Sequence, residues 1–171
     1  MNLQTTDLGK LGRDKVSGFE GIVTSIVKFI YEDDIYYLTP NKLIKGKFVK
    51  AERFEVGGIE IIGEGIATTE VKEDRLGGDN LFFSMAENFG KLGRDKITGF
   101  EGIITAIVKN LHGEDRYGLH PLTKSGKLKK PKLIHILGFA NERIEIIGEG
   151  VRTSEVHLNK LGAVDLPPSL K

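Results

Sequence analysis

The sequence contains no cysteine and no tryptophan. Without cysteine there is no disulfide, no thiolate nucleophile and no Cys-based zinc site. Proline is scarce, and two of the five prolines are the adjacent pair Pro167-Pro168, which reads as an extended tail. No stretch approaches the roughly 18–20 consecutive apolar residues of a membrane-spanning helix. Met1 to Lys10 has no apolar core, so no signal peptide is expected. Neither sign of charge dominates. The formal net charge is +1, which argues against a global pull toward nucleic acid or anionic lipid and leaves only local basic patches to consider.

Glycine, by contrast, is plentiful at 22 of 171 residues, which points to short strands and tight turns. The chain also repeats itself. Gly9-Lys10-Leu11-Gly12-Arg13-Asp14-Lys15-Val16-Ser17-Gly18-Phe19-Glu20-Gly21-Ile22 recurs from Gly90 to Ile103, where the only changes are Val16 to Ile97 and Ser17 to Thr98. The register holds through Val27-Lys28 and Val108-Lys109, then Asp34 and Asp115, Tyr36 and Tyr117, Pro40 and Pro121. A second block, Ile59-Glu60-Ile61-Ile62-Gly63-Glu64-Gly65, recurs as Ile144 to Gly150. Its offset is larger by about four residues, an insertion that falls in a loop, where length costs little. Each copy has roughly 60 residues, a marginal size for independent folding. The copies are therefore expected to pack on each other or on a partner.

Within one copy, Gly21 to Ile30 is rich in β-branched residues and reads as a strand with both faces partly covered. Tyr31 to Asp34 reads as a turn, matched by His112 to Asp115 with Gly113 available for positive φ. Ile35 to Thr39 is the returning strand and Pro40 ends it. Further strands are expected over Arg13 to Val16, Lys47 to Phe54 and Glu60 to Ile62. Five short strands without a helical period imply an all-β fold of tandem small SH3-like barrels. The expected division is a first β-domain over 1–65, a linker over 66–88, a second β-domain over 89–150 and a tail over 151–171. Leu81 to Phe89 carries three phenylalanines, too many for an exposed linker, so this segment is expected to be docked. Phe19 and Phe100 are expected either to cap each barrel or to face the other copy.

The segment G-K-L-G-R-D-K-[VI]-[ST]-G-F-E-G-I, followed by a Tyr-containing strand and Pro, resembles a group of small phage-encoded proteins with a D-x-[VI]-[ST]-G-F-x-G-I core. The resemblance rests on Asp14, Gly18, Phe19, Gly21 and Ile22 and on Asp95, Gly99, Phe100, Gly102 and Ile103. The G-F-E-G-I string also resembles the motif of KOW modules, SH3-like barrels of ribosomal and transcription proteins. The phage resemblance implies a viral origin and admits a place in the virion or the host cytoplasm.

Chemical motifs are few. Ile-Glu-Ile-Ile-Gly-Glu-Gly looks like the start of a dinucleotide fingerprint, but Thr68 and Thr153 stand where the third glycine is needed and no βαβ unit follows. It reads as a strand ending in a turn, and no cofactor is expected. All four histidines, His112, His120, His135 and His157, lie in or after the second copy. His112 and His120 alone do not make a metal site or an acid–base pair. Asp14 and Asp95 read as turn staples that accept backbone N–H bonds. Arg13, Lys15, Arg94 and Lys96 are cations placed to meet phosphate in a cleft between the copies. Lys127, Lys129 and Lys130 belong to a basic hairpin with the reach to touch a nucleic-acid backbone.

With no catalytic, metal or cofactor constellation, the expectation is a non-enzymatic structural or interaction protein, such as a capsid decoration or tail accessory protein. Its partners would be capsid or tail subunits, with no membrane contact, and the candidate binding residues are Arg13, Lys15, Phe19, Arg94, Lys96, Phe100, Lys127, Lys129 and Lys130. The alternative is a nucleotide- or nucleic-acid-binding module, either an anti-defence protein that sequesters a nucleotide or a KOW-like binder.

Overall fold

The computed structural model describes residues 7–30, 32–40, 50–65, 85–122 and 137–150. Each repeat contributes five strands. The first has β1 (Leu11–Asp14), β2 (Glu20–Phe29), β3 (Ile35–Thr39), β4 (Glu52–Glu55) and β5 (Ile59–Gly63). The second has β6 (Leu92–Asp95), β7 (Glu101–Asn110), β8 (Arg116–His120), β9 (Leu137–Ala140) and β10 (Ile144–Gly148). A single 3-10 turn separates the last two strands of each repeat, at Val56–Gly58 and Asn141–Arg143.

Local chemistry accounts for the strands. β2 and β7 are dense in β-branched residues, which suit a pleated, partly buried surface. Gly21 lies inside β2 because a Cβ there would sit 2.7 Å from the Thr39 carbonyl oxygen, and Gly102 stands in the same relation to His120. Gly65 and Gly150 follow the last strands at φ +71 and +62, where a side chain would run into the carbonyls of Gly9 and Gly90. This close approach explains the glycine that ends both Ile-Glu-Ile-Ile-Gly-Glu-Gly blocks.

The expected pair of SH3-like barrels is not what forms. The ten strands make one open sheet in the order β10-β6-β7-β2-β1-β5, with β3–β4 attached to β2 and β8–β9 attached to β7. Among the described residues no ladder joins β4 to β5 or β9 to β10, so neither repeat closes on itself. The reason lies in the lengths of β1 and β2. Strand β1 pairs only with Glu20 to Ile22 at the start of β2. The far half of β2, from Ser25 to Phe29, pairs antiparallel with Asn110 to Ala106 of β7. The sheet therefore continues into the other repeat.

At the centre of that ladder Val27 faces Val108, its own equivalent. Ile26 faces Lys109 and Lys28 faces Ile107, so a pseudo-twofold axis passes between the two valines. Reciprocal backbone bonds extend the pairing, from Ile30 N–H to the Thr105 carbonyl and from Leu111 N–H to the Thr24 carbonyl.

Side chains follow the backbone across the axis. The first core contains Leu8, Ile22, Val23, Ile26, Tyr36, Leu38 and Ile59, and also Leu111 from the second repeat. The second core contains Met85, Ile104, Ile107, Tyr117, Leu119 and Ile144, with Ala86 and Phe89 packed against it. The end of the segment expected to dock therefore does so. A third cluster of Val27, Ile35 and Ala106, flanked by Phe29, Tyr37 and Val108, sits at the junction itself.

Candidate functional site

The longest closely repeated segment, Gly9 to Ile22 and Gly90 to Ile103, contains the connection between the first two strands of each repeat. As β1 ends, the Asp14 carboxylate accepts the Ser17 backbone N–H at 2.7 Å and the Ser17 hydroxyl at 2.6 Å. The Gly18 N–H donates to the Asp14 carbonyl and the Asp14 N–H to the Phe19 carbonyl. The second repeat repeats this with Asp95, Thr98, Gly99 and Phe100. Short polar side chains bonding their own backbone are a general way to fix turns. These bonds to Ser17 hold the Asp14 carboxyl below the ordinary carboxylate range. Asp95 is driven further down, chiefly by the Arg143 guanidinium, which donates to both its oxygens at 2.9 and 2.7 Å.

Each turn is also tied at its base. Lys15 donates from its backbone to Gly58 and from Nζ to the Gly57 carbonyl. Lys96 does the same with Arg143 and Glu142. What remains at the tip is one aliphatic side chain. Val16 is 92% exposed and Ile97 73% exposed. Among the described residues only two other large apolar side chains are exposed, Ile61 and Ile146, and they too are repeat equivalents.

Exposed residues are shared selectively. On β4, Glu52, Arg53 and Glu55 correspond to Leu137, Gly138 and Ala140 of β9, and only Phe54 and Phe139 are retained. Around the turn, by contrast, Arg13, Lys15, Glu20 and Glu60 recur unchanged as Arg94, Lys96, Glu101 and Glu145. Part of this is structural. Arg13 bridges β2 and β5 by pairing with Glu20 at 2.6 Å and Glu60 at 3.9 Å. Arg94 pairs likewise with Glu101 and Glu145. Such cross-strand pairs support a sheet modestly. They give no reason for an exposed Val or Ile in a turn.

The expected site residues are thus separated into two sets. Arg13 and Lys15 flank one turn, Arg94 and Lys96 the other, and the turns lie at opposite ends of the β2–β7 ladder. About seven strand residues, or roughly 20 Å, separate each turn from the axis. No cleft between the repeats gathers the four cations, and both arginines are already occupied by carboxylates. Phe19 packs on Phe54 at 5.3 Å between centroids and Phe100 on Phe139 at 5.6 Å. Both therefore cover the core of their own repeat and do not face the other copy. Arg143 lies over the Phe139 ring.

Lys127, Lys129 and Lys130 fall outside the described residues, as do His135 and His157. His112 is in the loop after β7 and His120 at the far end of β8, opposite Ile103, so the two do not meet. Among the described residues no group of three or more His, Asp or Glu side chains is arranged to hold a metal ion. Comparison with protein-family models, curated proteins and solved structures finds no match to this chain, so none ties it to virion proteins or to nucleic-acid binding.

The tip residues Val16 and Ile97 escape a reading based on charge and aromaticity. Their signal was the substitution itself, one β-branched aliphatic for another at a turn position. Arg143 carried no signal, because Gly58 stands in its place in the first repeat.

Proposed function

We propose that the chain is a non-enzymatic structural and interaction protein that binds other proteins through its two stapled turns. The observation that carries this reading is the pairing of the exposed apolar side chains. Every such side chain among the described residues has its equivalent in the other repeat. A lone exposed aliphatic needs no explanation. The same residue type held out by the same hydrogen-bonded turn in both repeats supports a contact role that the two turns share.

The test is the double variant Val16→Asp/Ile97→Asp. Both side chains are exposed, so the fold and its melting temperature should change little. In extracts of the cells that make the protein, the wild-type chain should run in a complex larger than the purified chain, and the variant should run free. Equal mobility of the two would refute the reading. The narrower form, a virion component such as a capsid decoration or tail accessory protein, is tested by recovery of the chain in purified particles.

A further inference from the structure

We infer that the two turns are equivalent heads that bridge two copies of one partner protein, each head entering an apolar socket rimmed by a carboxylate. This rests on the interaction reading above and adds the valency and chemistry of the partner.

The chemistry comes from the charges around each tip. Arg13 is occupied by Glu20 and Glu60, and Arg94 by Glu101 and Glu145. Lys15 and Lys96 differ. Each Nζ donates to a backbone carbonyl, and neither has a carboxylate partner among the described residues. Each head therefore presents one β-branched aliphatic beside one ammonium that no carboxylate pairs directly. Its complement is an apolar pocket with an acidic rim, in which the aliphatic supplies affinity and the charge supplies orientation.

The valency comes from the fold. The heads are related by the pseudo-twofold axis between Val27 and Val108 and sit at opposite ends of one continuous sheet. Equivalent surfaces recognise equivalent sites, so the partner must offer the same site twice, either as two subunits or as neighbours in an array. Joining two modest contacts through one rigid connection raises the avidity without a new contact. An anionic bilayer would also take an aliphatic residue beside a lysine. One such side chain per head is little apolar area to hold a chain of net charge +1 on a membrane. A protein socket adds shape complementarity and a carboxylate fixed in place, which a bilayer surface lacks.

The experiment places a photo-crosslinking residue at position 16 or at position 97 of the full chain, in the cells that make it. Control positions are Glu64 and Glu149, which are exposed and follow β5 and β10 at the ends of the β1–β5 and β6–β10 ladders remote from the turns. The inference expects adducts from both tips at the same peptide of one protein, a peptide containing aliphatic residues and an Asp or Glu. It expects none from the controls, and a severalfold loss of adduct at position 16 when Lys15→Glu is added. Adducts to two different proteins would overturn the inference and leave the interaction reading standing. Adducts to lipid, or binding of the purified chain to vesicles of anionic phospholipid that Val16→Asp/Ile97→Asp abolishes, would overturn it in favour of a membrane. No adduct at either tip would overturn the interaction reading as well.

Discussion

The two repeats fold alike but hold their turns differently. In the second, Asp95 is fully buried and clamped by Arg143 on both carboxylate oxygens. In the first, Gly58 stands at the place of Arg143, and the Asp14 carboxylate is held by the Ser17 hydroxyl and by backbone N–H groups of its own turn, without a guanidinium. In the first repeat the Tyr36 hydroxyl donates to the Asp7 carboxylate. In the second repeat Asn88 takes the place of Asp7 and donates to the Tyr117 hydroxyl. The Thr24 hydroxyl is bonded to Thr39, whereas the equivalent Thr105 hydroxyl is buried without a partner. Gly58, Asp7 and Thr39 have thus been exchanged for Arg143, Asn88 and His120, while the Asp staple, the lysine tie and an exposed β-branched aliphatic at the tip have been kept. That contrast separates what the fold tolerates from what the tips require.

The two repeats are coupled most directly at the axis, where Val27 meets Val108. Val27→Asp would bury an unpaired charge where the two repeats meet, with a cost of about 3 kcal/mol or more. Both repeats should lose stability together in urea unfolding followed by probes in each half. A loss confined to one repeat would show that the shared ladder does not couple them.

Removing the staples should discriminate between the repeats. Asp95→Ala strands Arg143 as well as Thr98, so it should lower the melting temperature by roughly 5 °C more than Asp14→Ala does. Equal losses would mean that the clamp contributes nothing. Acid provides the same contrast without mutation. Both carboxyls titrate below their unfolded value, so their stabilisation is complete above that value and lost as pH falls through the folded one. Asp14 lies above Asp95. On acidification below about pH 4, the Ser17 amide should lose exchange protection before the Thr98 amide. The reverse order would contradict the account of the two turns.

Smaller effects sharpen the picture. Thr105→Val removes a buried hydroxyl that bonds nothing and should be neutral or slightly stabilising, whereas Thr24→Val should cost about 1 kcal/mol. Chemical denaturation distinguishes the two. Gly58→Arg would copy the second clamp into the first repeat. A Cβ at Gly58 meets only the Asp14 carboxylate, at an unstrained 3.4 Å. A rise of roughly 1–4 °C in melting temperature is expected, and a fall would show that the clamp depends on more than Arg143.

What was legible in the sequence was local. β-branched runs marked β2 and β7, Gly113 marked the turn at φ +95, and Asp14 and Asp95 announced their own staples. Each depends on neighbours a few residues away. The choice of strand partner does not. Nothing in Ser25 to Phe29 states that the edge beside it is taken by the same stretch of the other repeat. The nearest hint was that apolar residues point to both faces of β2, more cover than one small repeat supplies. Closure into barrels was expected because strand count and glycine corners suit it, yet β1 is too short to occupy the whole edge of β2. The cations around the turns were legible as residues but not as ion pairs, because Glu20 and Glu60 reach Arg13 only once three strands lie side by side.

One continuous sheet carries the two equivalent turns at opposite ends of the β2–β7 ladder. The chain has no cysteine of its own, so Val16→Cys combined with Ile97→Cys accepts two spin labels and no others. Dipolar distance measurement between the labels should give a single narrow distribution, unchanged when Gly58→Arg is added. A broad distribution, of the kind given by two repeats tumbling independently, would contradict the account.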